Sequence, residues 1–142
     1  MGGRGASIQI SKYNPKGGFT EQAYRATGET LAGIKVIEKI NSKSASLPEM
    51  SNTPGTVYIL KSAGHFTAMG IYGADRRLQK AIEFNRRHVI RLKNGKRIVL
   101  KKGIAHVHNL RGGRGNNVRY LTIREKKKYG TAIELMGGVL SE

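Results

Sequence analysis

Apolar residues fall into short runs separated by Gly, Pro, Asn and Ser through most of the chain, and only near the C-terminus does a longer periodic stretch appear. Short β-branched runs bounded by turn residues are the pattern of strands. "TVYIL" (56–60), "HFTAMGIYG" (65–73) and "LQKAIEF" (78–84) read as successive strands of one sheet, and "GIKVIEKI" (33–40) as a further strand. "HVIRLKNGKRIVL" (88–100) is the clearest local signal: two β-branched runs flank Asn94-Gly95, a dipeptide suited to the positive φ angles of a type I′ hairpin turn. "IAHVHNL" (104–110) alternates like a strand, and "RGGRGNN" after it reads as a loop. Thr122, with Glu125 three residues on, has the spacing of a capping box, so a helix is expected from there to Met136, ended by Gly137-Gly138.

Residues 1–30 are rich in Gly, Ser and Thr with scattered apolar positions, and read as an irregular N-terminal arm. Residues 31–142 then form a single α+β domain with a mostly antiparallel sheet and a C-terminal helix. The length suits one modest core. No cysteine is present, which excludes a disulfide framework or thiolate metal site and leaves a reducing cytoplasm as the expected setting. No window approaches a membrane span, so no membrane partner is expected.

Charge changes the picture most. The chain carries 26 Lys and Arg against 9 Asp and Glu, a net +17. Residues 76–128 hold 18 of those basic residues and only 2 of the acids. A block of this length and purity is the signature of a polyanion site more than of a solvated face. The residues expected to contact phosphates are Arg86, Arg87, Lys96, Arg97, Lys101, Lys102, Arg111, Arg114 and Arg119. The glycines of "RGGRGNN" would let backbone amides approach a phosphate closely. Tyr120, Tyr129 and Phe84 are aromatics that would either stack on bases or belong to the core.

Within the block, His106 and His108 are two residues apart, so on a strand they share a face about 7 Å apart. Three readings are open. As acid and base, with His88 assisting and Arg111 or Arg119 on the phosphate, they would cleave RNA through its 2′-hydroxyl without a metal. As metal ligands they would need partners, and the near acids in sequence are Glu83 and Glu125, in cationic surroundings that oppose another cation; no metal or other cofactor is expected. As plain sheet residues they would pack and donate to phosphates or carbonyls. Walker, His-Glu-x-x-His and Gly-x-Ser-x-Gly motifs are absent, so nucleotide hydrolysis, zinc proteolysis and ester hydrolysis have no support.

"MGGRGAS", "LPEMSNTPGTVYIL", "LQKAIEF" and "GIAHVHN" followed by "RYLT" and a short helix together resemble a group of small proteins encoded by prophages and mobile elements of Firmicutes. Where that group is expected to have an acidic Asp-Leu-Asp-His-like segment, this chain has the basic "IEFNRRHVIRLKNGKRIVL". The resemblance implies a phage or mobile-element protein in the cytoplasm of a bacterial host. Its expected function is to bind RNA, DNA or a nucleic-acid-loaded host complex such as a CRISPR effector, as an anti-CRISPR or anti-defence inhibitor. Related histidine-bearing domains look like toxin nucleases of the barnase, EndoU and RelE type, which gives the alternative of a metal-independent endoribonuclease. A DNA-contacting virion component is a further alternative.

Overall fold

The computed structural model describes residues 7–14, 18–39, 46–110 and 118–141. The elements in order are β1 (Ser7–Asn14), β2 (Gly18–Leu31), β3 (Ile34–Lys39), β4 (Val57–Ser62), β5 (His65–Tyr72), β6 (Leu78–Glu83), β7 (His88–Arg91), β8 (Arg97–Leu100), β9 (His106–Asn109), β10 (Val118–Tyr120) and α1 (Ile123–Met136). Eight strands form one sheet in the order β1-β2-β3-β4-β5-β6-β9-β10, antiparallel except for the parallel pair β3 and β4. The fold is α+β, as the strand runs and the single capped helix imply.

Two sequence expectations change. In place of an irregular arm over residues 1–30, residues 7–14 and 18–31 form two antiparallel strands, paired from Ser7 with Arg25 to Asn14 with Gly18. Alternation is present in "SIQISKYN", but its apolar members are few and its polar ones Ser, Gln and Lys, so composition outweighs the period. The second change concerns the hairpin turn. Leu92 and Lys96 close a three-residue loop in which Gly95 alone has positive φ, at 84°, and the Gly95 amide donates to the Leu92 carbonyl. This is the type I turn with a bulge, not type I′. Two-residue loops with both φ angles positive occur instead at Ala32-Gly33 and Ala63-Gly64.

Sheet alternation divides the core in two. Val36, Ile59, Met69, Ile82 and Val107 face α1, which contributes Tyr129, Ala132, Ile133 and Met136 at helical spacing. Each large side chain buried there is worth roughly 1.5–3 kcal/mol. Tyr24, Ala26, Ile37, Tyr58, Leu60 and Tyr72 form the second cluster, against Leu47, Met50 and Leu78. The Thr122 hydroxyl accepts from the Glu125 amide while the Glu125 carboxylate accepts from the Thr122 amide, completing the capping box. Gly137, at φ 103°, ends the helix by donating to the Glu134 carbonyl.

β7 and β8 form a separate two-stranded sheet, an excursion between the adjacent strands β6 and β9. Its base is tied to the main body at three points. The Gly103 amide donates to the Phe84 carbonyl at 2.6 Å, the Lys101 amide donates to the Tyr120 hydroxyl at 3.1 Å, and that hydroxyl donates to the Val99 carbonyl at 3.3 Å.

Candidate functional site: a histidine and glutamate cluster beneath a basic hairpin

The cluster is built by register. β6 and β9 pair with Ile82 opposite Val107, and both of these point into the helix-side core. Their neighbours therefore point the other way: Glu83 lies opposite His106, and Ala81 opposite His108. After β6 the chain turns through residues 84–87, and His88, the first residue of β7, comes back over the same surface. The rings of His88, His106 and His108 meet edge to face, with centroids 4.5, 4.7 and 5.1 Å apart. His106 is completely buried, while the side chains of His108 and His88 are 20% and 25% exposed.

All three Nε2 atoms converge on one carboxylate oxygen. Glu83 Oε1 is 2.6 Å from His108 Nε2 and 3.9 Å from each of His88 Nε2 and His106 Nε2. The three Nε2 atoms are nevertheless buried without a hydrogen-bond partner. His106 Nδ1 lies 3.3 Å from the Ile104 carbonyl. Only a protonated Nδ1 can donate to that carbonyl, so in the neutral ring Nε2 carries the lone pair. When their Nε2 atoms carry a proton, the His106 ring first and the His108 ring after it hold the Glu83 carboxyl well below the usual carboxylate range. Burial, then the neighbouring His106 and His108, push the His88 imidazole below its ordinary value and keep it neutral. One donor atom from each of Glu83, His88, His106 and His108 lies within 4.8 Å of the others, a set able to hold a metal ion.

The acid–base reading loses its footing at His106 in this geometry, while His108 and His88 keep partly exposed side chains. A general acid or base has to reach the substrate, and His106 has no exposed surface. Arg119 is also removed from any phosphate-binding role beside the histidines. It pairs with Val107 across β9 and β10, so its side chain leaves by the helix face. There the guanidinium grips Glu125 in a bidentate pair at 2.6 and 3.1 Å. Phe84 and Tyr129 are core residues, and Tyr120 is occupied in pinning the hairpin.

The remaining sequence candidates surround the hairpin. Arg86, Arg87, Lys101 and Lys102 are exposed at its base, and Lys96 and Arg97 at its far end. Arg91 and Lys93, not singled out from the sequence, are exposed on the same excursion. Arg111 and Arg114 lie outside the described residues. Glu83 is the member of the cluster that sequence reasoning passed over as a binding residue. A signal was present: if "LQKAIE" and "HVHN" are adjacent antiparallel strands with Ile82 and Val107 both on the core face, alternation puts a carboxylate on the histidine face.

No family model, curated protein or solved structure matches the chain.

Proposed function

We propose that the β7–β8 hairpin and its flanks bind the phosphate backbone of a nucleic acid. One observation carries this reading. From residue 84 to residue 110 there is no acidic residue, and Arg86, Arg87, Arg91, Lys93, Lys96, Arg97 and Lys102 are all exposed with no ion-pair partner among the described residues. Four-residue strands span about 13 Å, so these cations lie within a few phosphate spacings of one another. Exposed, unpaired cations at that density repel each other, and a polyanion relieves the repulsion. The hairpin is short and lies outside the eight-stranded sheet, which suits insertion along a groove or against a folded RNA. The resemblance to prophage proteins adds a target class to this reading: RNA, DNA or a nucleic-acid-loaded host complex such as a CRISPR effector.

Fluorescence anisotropy with a labelled RNA and a labelled DNA duplex at several salt concentrations tests the reading. The expected result is a log–log salt slope that becomes shallower by roughly one for each phosphate contact removed, as in Arg86→Ala/Arg87→Ala and Lys96→Ala/Arg97→Ala. A flat salt response, or variants indistinguishable from the parent, would overturn it.

A further inference from the structure

We infer that Glu83, His88, His106 and His108 form a closed four-ligand site for a divalent transition metal of the zinc class, and that this metal clamps the basic hairpin to the main sheet. The chemistry of the donor set is the first support. Three imidazoles and one carboxylate are ordinary zinc ligands, and their donor atoms lie within 4.8 Å of one another. Metal–donor bonds of about 2.0–2.1 Å put tetrahedral donors roughly 3.3 Å apart, and the observed separations of 2.6 and 3.9 Å to the Glu83 oxygen straddle that value. Modest rotations of the side chains would equalise them.

The second support is independent of spacing. Three buried ring nitrogens without hydrogen-bond partners are a cost that folded proteins seldom leave uncompensated. One cation accepting all three lone pairs removes that cost in a single step. The third support is the outer contact of His106, whose Nδ1 faces the Ile104 carbonyl. A backbone carbonyl in this position fixes the tautomer that presents Nε2 to a metal.

Position in the fold then assigns the role. Glu83, His106 and His108 belong to neighbouring strands of the main sheet, whereas His88 opens the hairpin. A metal held by all four crosses from one sheet to the other. Each Nε2 is inaccessible to solvent and four protein donors complete a tetrahedron, which is the pattern of structural sites; catalytic zinc keeps a position open for water. Glu83 supplies the one negative charge, which partly offsets the ion within the cationic surroundings. The site stands whether or not the hairpin meets nucleic acid.

The test uses the full chain, stripped of metal and titrated with Zn²⁺ alone by calorimetry, and with Co²⁺ followed by visible absorption. A single equivalent of Zn²⁺ should bind, and Co²⁺ should give the strong d–d bands of tetrahedral coordination. His88→Ala and His108→Ala should weaken uptake by at least the ~10–100-fold that loss of an outer-shell partner causes. Circular dichroism establishes that each variant is folded, and His88→Ala, at the start of the excursion, leaves the main sheet's own residues unchanged. Hydrogen exchange supplies a readout that does not depend on variants: Zn²⁺ should slow exchange at the amides of residues 88–100. Absence of stoichiometric uptake, weak six-coordinate Co²⁺ bands, or unaltered affinity in folded His88→Ala would overturn the site. Uptake without added protection of the hairpin would overturn the clamp.

Discussion

On the helix side of the molecule Glu125 is surrounded by donors, and on the opposite face of the sheet Glu83 is surrounded by rings. Glu125 accepts two bonds from Arg119, two from Thr122 and one from Lys80. Arg119 above all holds its carboxyl down to about 2, and the network is complete within the chain. Glu83 sits among three imidazoles whose Nε2 atoms find no hydrogen-bond partner. Both glutamates have lowered pKa values, so that property alone does not separate a structural pair from a ligand set. Hydrogen-bond satisfaction separates them.

The comparison can be broken most sharply at Arg119. Arg119→Ala leaves the Glu125 carboxylate, 10% exposed, with its main partner gone. Because Arg119 itself is 40% exposed, the expected loss is about 2–3 kcal/mol, below the ~3–5 kcal/mol typical of a fully buried pair. Chemical denaturation followed by circular dichroism checks it, and a loss under about 0.5 kcal/mol, within the range of an ordinary surface change, would mean that the network on this side is not structural.

Acid separates the two faces by pH. His88 is held neutral when folded but takes a proton near 6.5 when unfolded, so its contribution falls as the pH drops below 6.5. Its surroundings act in both directions, with His106, His108 and Arg86 opposing its charge and Glu83 favouring it. Glu125 behaves otherwise: its stabilisation is complete above 4.5 and is lost between there and about 2. Metal-free protein should therefore lose stability in two stages, first below 6.5 through His88 alone and then below 4.5, where Glu83 and Glu125 both take up protons. Urea midpoints measured from pH 7.5 to 3 give the profile, and a flat stretch between 6.5 and 5 would contradict the neutral His88.

The smallest effect is expected from His106→Leu in metal-free protein. Exchanging the buried ring for an apolar group of similar size removes the cost of its unpartnered Nε2 but also the Nδ1 contact with the Ile104 carbonyl, and the two offset to a net change of about 1 kcal/mol or less. Thermal unfolding of the two proteins decides it. A loss above roughly 3 kcal/mol would mean that the histidine face is already a finished network without a metal.

The sheet was legible where apolar runs were dense, as in "TVYIL" and "HVIRLKNGKRIVL", and the capping box located α1. Turn chemistry was legible only in part. Asn94-Gly95 marked the hairpin but not its loop type, while Ala32-Gly33 and Ala63-Gly64 adopt left-handed conformations without an Asn or Asp to announce them. There strand pairing on both sides imposes the turn. The N-terminal strands were hidden because their polar residues resemble those of a loop. His106 and His108 were visible as a pair, yet their meaning depends on register: Glu83 is 23 residues before His106 and becomes its neighbour only through β6–β9 pairing. Arg119 shows the reverse, a basic residue inside a basic block that strand alternation sends to the other side.

The last turn of the chain bears on handling the protein. Beyond α1, the Ala105 amide donates to the Val139 carbonyl and the Val139 amide to the Gly103 carbonyl, while Gly138 lies so close to Phe84 that an added methyl would collide with the ring. Trimming back to residue 136 would thus unfasten the peptide directly ahead of His106. An affinity tag joined directly after Val139 by a stiff spacer would tug on the same anchor, so flexible extensions after Glu142 are the safer choice.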